Sequence, residues 1–84
     1  MSMMLEIVTP DKKVFEGEVS SVTFPGADGE FQVLSNHAPL ISALAKGKLS
    51  ISTSGKNEHM VIDGGVVEVL NNNVIVLAES VIEE

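Results

Sequence analysis

Ser35, His37, Ser42 and Asp63 have the residue types of a nucleophile, a base and an orienting acid. A serine triad also needs its nucleophile on a strained turn beside an oxyanion hole. The Gly-x-Ser-x-Gly signature of such a turn is absent from the sequence, so no catalytic residue is assigned. The two histidines, His37 and His59, are not at metal-ligand spacing, and there is no Cys to supply a thiolate. No metal ligand is assigned either. His37 then reads as a loop-capping or interface residue, and His59 as a cross-strand partner of Glu68. Ser54-Gly55-Lys56 ends like a phosphate loop but lacks the first glycine, the spacing and the following helix. A hairpin turn is the better reading, and no cofactor site results. Glu16 and Glu18 share one strand face, where like charges repel mildly and need solvent. They suit a solvated edge that discourages sheet-to-sheet pairing rather than acid–base work.

The elements that would carry these residues are strands. Leu5 and Ile7 alternate with Glu6, and Leu49 and Ile51 with Ser50 and Ser52. Short runs end at Gly, Pro, Asn or Asp, as in an antiparallel sandwich or flattened barrel. The pattern predicts an all-β fold of roughly nine or ten strands, near residues 3–9, 13–18, 19–24, 30–34, 40–44, 47–53, 57–62, 65–70 and 73–79. Pro39 and Gly47 bound the segment between them too tightly for a stable helix. Asp63-Gly64 and Asn71-Asn72 have the chemistry of two-residue primed turns. If both close hairpins, Met60 faces Val67, Val67 faces Val76 and Val69 faces Val74 on an apolar core side. On the other side His59 faces Glu68 and Glu68 faces Ile75, with Val61, Val66 and Leu77 beside them. That second face is either covered by an edge of the other sheet or offered to a partner.

Eighty-four residues make one domain, 1–84, and 44% hydrophobic residues suffice for its core. No apolar run approaches the roughly 20 residues of a membrane span, and the start lacks the charged and apolar regions of a signal peptide. A soluble chain without direct membrane insertion is expected. Twelve acidic and five basic residues give a net charge of −7, with no Arg, Trp or Tyr. That composition excludes a basic, stacking nucleic-acid surface. It serves solubility, or a partner with basic or polar loops.

Phe24-Pro25-Gly26-Ala27-Asp28-Gly29-Glu30-Phe31 leads into Gln32-Val33-Leu34-Ser35 and the corner Asn36-His37-Ala38-Pro39-Leu40. With Val8-Thr9-Pro10-Asp11, Val14-Phe15-Glu16-Gly17, Asp63-Gly64-Gly65-Val66-Val67-Glu68-Val69 and Asn73-Val74-Ile75-Val76-Leu77-Ala78-Glu79, this series resembles the epsilon-subunit family of bacterial rotary ATP synthases (delta in mitochondrial naming). The resemblance runs in the family's order over nearly the whole chain. It implies the β-sandwich that sits in the central stalk of a larger ATP synthase complex, bound to the gamma subunit and the c-ring. Such a subunit is non-catalytic and couples proton flow to ATP synthesis, peripherally at the cytoplasmic face of the bacterial inner membrane. The alternative is a free-standing β interaction module of another pathway.

The same resemblance maps Gly26, Ala27, Asp28, Gly29 and Glu30 to the loop that meets the c-ring, with Glu30 as its acidic residue. Asn36, His37, Ala38, Leu40 and Ser42 map to a surface facing gamma or the ring. Gln32 stands where the family usually has Gly. Asn36 replaces the first residue of a Gly-His-Ala-Pro-Leu corner, and Asn tolerates the left-handed backbone such a turn needs. The family's carboxy-terminal helical hairpin is not matched, so its inhibitory and ATP-binding properties are not implied. Val81-Ile82-Glu83-Glu84 does not resemble the usual entry to that hairpin, which favours a naturally short member over a cut one.

Overall fold

The computed structural model describes residues 2–82, so the readings on Met1, Glu83 and Glu84 lie outside the described residues. Eight strands follow one another: β1 (Met3–Val8), β2 (Lys13–Val19), β3 (Ser21–Gly26), β4 (Gly29–Leu34), β5 (Leu40–Thr53), β6 (Lys56–Leu70), β7 (Asn73–Ala78) and β8 (Val81–Ile82). Hydrogen bonds join them in the order β2-β1-β7-β6-β5-β3-β4, with β8 on β6. The smallest Cα extent is 22 Å, which fits two sheet layers about 10 Å apart rather than one.

Two long strands connect those layers. β5 and β6 keep one register from Leu40 opposite Val69 to Thr53 opposite Lys56. Their turn is Ser54-Gly55, with Gly55 at φ +77°, as the sequence suggests for Ser54-Gly55-Lys56. The first half of β5 and the second half of β6 lie with β7, β1 and β2. Their remaining halves lie with β3, β4 and β8.

The inward face changes along the way. In β5, Leu44 is buried before the middle, Leu49 and Ile51 after it. In β6, Ile62 is buried before the middle, Val67 and Val69 after it. The inward set moves from even to odd positions in both strands, so the ribbon turns its other side to the core as it passes between layers. Gly64 at φ +86° and Gly65 at φ +147° make the change in β6. Both values are strained for any residue with a Cβ. A Cβ on Gly65 would also run into the Leu77 carbonyl and lie 2.9 Å from the Ala78 Cα.

Asp63-Gly64 is therefore not a hairpin turn. Met60 pairs with Leu49 rather than Val67, and His59 with Ser50 rather than Glu68. The expected segments 40–44 with 47–53, and 57–62 with 65–70, fuse into β5 and β6, leaving eight strands that contribute ten segments to the two layers. Positive-φ glycine serves a primed hairpin and a mid-strand reversal equally well, which is why composition alone points to the wrong one. A second departure is that β1 runs parallel to β7.

The Asn71-Asn72 turn holds. Both residues have positive φ, 52° and 63°, as a type I′ turn requires. Val67 then pairs with Val76, Glu68 with Ile75 and Val69 with Val74. Leu5, Ile7, Val67 and Val76 close the core from one layer, and Val22, Phe24, Leu49 and Ile62 from the other, each without exposed surface. Each such side chain contributes about 1.5–3 kcal/mol when fully buried. Phe24 leans on the partly buried Phe31 with ring centroids 5.4 Å apart.

Candidate interaction surface

The β3–β4 hairpin turns through Ala27 and Asp28, with Gly26 paired to Gly29. Gly26 is half-buried, and Ala27, Asp28, Gly29 and Glu30 are exposed. The tip is fastened to the first half of β5 by Ala27 N–H donating to Ala43 O at 3.0 Å. Ala43 thus lies beside the tip with Ser42 as its chain neighbour, whereas Asn36 is held by Asn72. Glu30 has no ion-pair partner among the described residues, and it stands exposed at the start of β4, paired with Pro25 two residues past the turn.

The corner lies between the end of β4 and the start of β5. Asn36 adopts φ 68°, the left-handed conformation its position in the sequence suggests. Its N–H donates to Asn72 Oδ1 at 2.6 Å, and Asn72 Nδ2 donates back to Asn36 Oδ1 at 3.2 Å. His37 N–H donates to Leu34 O at 3.2 Å. His37 Nδ1 lies 2.7 Å from Ala38 O. A carbonyl can only accept, so Nδ1 carries the hydrogen and Nε2 remains an acceptor in the neutral ring. Ala38 is exposed and Leu40 half-buried. Ser35 Oγ is buried without a hydrogen-bond partner. Among the described residues His37 has no hydrogen bond to Ser35, Ser42 or Asp63, so the three residue types do not form a relay.

A third feature is the outer face of β5, β6, β7 and β1. Ala43 pairs with Val66, Val66 with Leu77, and Leu77 with Val8, a cross-strand row that is apolar from end to end. Val66 is 40% and Leu77 56% exposed, and in the adjoining row Ile41 reaches 72%. Val61 is half-buried beside its ladder neighbour Ile82 of β8. Val66 and Leu77 stay uncovered. Apolar residues in a row on an exposed sheet face are the usual mark of an interface.

At its far edge this face becomes charged. Lys13 Nζ lies 3.1 Å from Glu16 Oε1 and 3.2 Å from Glu6 Oε2. Hydrogen bonds to Glu16 and then Glu6 raise the Lys13 ammonium above its ordinary value of 10.5. Glu16 and Glu18 are exposed on β2, an edge strand, in keeping with their reading as a solvated edge.

Residues 2–84 match the family described as ATP synthase, Delta/Epsilon chain, beta-sandwich domain. The chain belongs to that family. This delta/epsilon-chain sandwich is 52% identical over 79 residues to an ATP synthase epsilon chain of Nitratidesulfovibrio vulgaris, a match covering 94% of it and 59% of the relative. A second ATP synthase epsilon chain, from Chlorobium limicola, is 51% identical over 78 residues, covering 92% of this chain and 89% of that one. The chain therefore spans about three fifths of the first relative and most of the second. Among solved structures, a chain in the Euglena gracilis mitochondrial ATP synthase assembly of OSCP, F1 and c-ring superposes with a TM-score of 0.91 at 25% identity, over 98% of this chain and 53% of that one. A chain from the central stalk and c-ring of the Tetrahymena thermophila mitochondrial enzyme shares the fold, with a TM-score of 0.82 at 19% identity.

Two parts of the surface escape a reading by sequence. Ala43 and Val8 join the apolar row only through β5–β6 and β1–β7 pairing, and no local pattern announces either. Asn72 reads as a turn residue, and its reach to Asn36 spans 36 positions.

Proposed function

We propose that this delta/epsilon-chain sandwich is a non-catalytic rotor subunit of the central stalk, joining the gamma subunit to the c-ring so that ion flow drives ATP synthesis elsewhere in the complex. The observation that carries the reading is the apolar row Ala43–Val66–Leu77–Val8, exposed at all but half-buried Val8 and bordered by exposed Ile41. An obligate interface resembles a core cut in half, and this face has that character. Gamma is assigned to it, with Asn36, His37, Ala38, Leu40 and Ser42 at its margin facing gamma or the ring.

The hairpin tip, Gly26 to Glu30, is assigned to the c-ring. It is polar, exposed and braced by the Ala27–Ala43 hydrogen bond. Such a tip presents the Glu30 carboxylate to polar or basic loops at low ordering cost. The setting that follows is peripheral, at the cytoplasmic face of the membrane. No helix among the described residues is long and apolar enough to cross a membrane.

Glu30 supplies the test. As an exposed carboxylate beside the hairpin tip it contributes little to the isolated fold, so Glu30→Gln keeps stability within about 0.5 kcal/mol. At a contact it makes charge-assisted hydrogen bonds about twice as strong as neutral ones. Binding of Glu30→Gln and Glu30→Lys to gamma–c-ring assemblies should weaken, Lys more than Gln, with the difference shrinking as salt rises. Unchanged binding for both at low and high salt makes Glu30 an ordinary solvated residue and removes the tip from the contact.

A further inference from the structure

We propose that Asn72 is a positioning residue for partner docking, which it serves by clasping Asn36 and holding the His37 corner in one conformation. The proposal rests on the assignment of that corner to the gamma or c-ring surface.

Asn72 sits where three segments meet. Its side chain accepts from Asn36 N–H at 2.6 Å and donates to Asn36 Oδ1 at 3.2 Å. Its own backbone carbonyl accepts from Met4 N–H at 2.9 Å, which ties the turn to the start of β1. The neighbouring turn residues are fixed by the Leu70–Asn73 pair. One end of the clasp is therefore anchored in the sheet. The other end, residues 35–39, lies in a connection between β4 and β5 without strand pairing. Its one backbone bond back to β4 is His37 N–H to Leu34 O, at 3.2 Å. Ser35 Oγ contributes nothing, being buried without a partner.

Loop segments with few buried contacts open most readily. A loop whose docking conformation is only fractionally populated binds more weakly by that fraction. The reciprocal amide pair acts on that fraction. It also orients His37, because Asn36 precedes it and the His37 ring is closed onto Ala38 O.

Both asparagines have positive φ, 68° at Asn36 and 63° at Asn72, so glycine removes the amide without straining the backbone. The experiment uses Asn36→Gly, Asn72→Gly and the pair together, with Asn72→Asp as a conservative variant that keeps the acceptor for Asn36 N–H. In the isolated chain, amide exchange at Asn36 and His37 is measured along with the thermal midpoint. In the assembly, affinity for gamma–c-ring particles is measured. The expected result for Asn72→Gly is exchange at residues 36 and 37 accelerated about three- to tenfold, as for loss of one or two neutral hydrogen bonds. Affinity falls by a similar factor, the midpoint changes little, and Asn72→Asp recovers part of the loss. In the double variant the effects are less than multiplicative, since either single change breaks the side-chain pair.

Unchanged exchange at residues 36 and 37 overturns the clasp. Faster exchange with full affinity overturns the positioning role while leaving the proposed function in place, provided the Glu30 variants still weaken binding. Absence of binding by the unsubstituted chain overturns both.

Discussion

The middle of the β5–β6 ribbon and the corner at its end both use backbone that L-residues rarely adopt, for different ends. At Gly64 and Gly65, φ values of +86° and +147° let the ribbon show its other side to the core. The surroundings are packed, and there is no room for a Cβ at Gly65. At Asn36 and Asn72, φ values near 65° place two side-chain amides on the surface within bonding distance. The first site needs a residue with no side chain, because its conformation and space belong to the fold. The second needs a side chain that tolerates the left-handed region, because the side chain is the point. Glycine and asparagine are thus not interchangeable here: glycine could adopt φ at either site, but asparagine tolerates only the left-handed region of the second.

The contrast breaks most visibly at Gly65. Gly65→Ala combines a glycine-only conformation with collision against the backbone of Leu77 and Ala78, and should destabilise by about 3 kcal/mol or more. Denaturant unfolding checks it, and a loss under about 1 kcal/mol would mean that the ribbon relaxes freely. Gly64→Ala sharpens the point. Its Cβ would lie 3.6 Å from Leu44 O, ordinary contact, so only the left-handed penalty of about 1–2 kcal/mol applies.

One residue beyond Gly65 the expected loss shifts from folding to assembly. Val66 is exposed beside Leu77, so Val66→Asp should leave the fold nearly intact. It should weaken binding to gamma-containing assemblies about tenfold or more, by burying an unpaired charge. Normal assembly would overturn the proposed assignment of gamma to this face.

The smallest effect belongs to the charged border. Lys13 has a folded pKa raised above 10.5 by Glu16 and Glu6. A raised pKa means that folding favours the protonated form. Its contribution is therefore complete below 10.5 and fades as pH climbs through the higher folded value. The thermal midpoint of the unsubstituted chain should fall slightly more than that of Lys13→Met across that alkaline range. The difference stays small because the pair is open to water and salt.

Strand alternation determined the all-β class, and the period-2 pattern placed Val67, Val69, Val74 and Val76 on the core side, where they are found. The Asn71-Asn72 turn was equally legible, because a type I′ turn is a local demand on two consecutive residues. Asp63-Gly64 offered the same kind of local signal and meant something else. Whether a positive-φ glycine ends a strand or reverses its face depends on what lies across from it, and here β5 continues on the other side.

The candidate surface divides along the same line. The hairpin tip and the corner were visible as ordered motifs, since each is a continuous stretch of chain. Tertiary structure alone set Ala43 and Val8 in one row with Val66 and Leu77, through the β5–β6 ladder and the parallel β1–β7 pairing. It alone brought Asn72 to Asn36. Local preference acts over a few neighbouring residues, whereas these contacts appear only once the core has packed the strands that hold them in register.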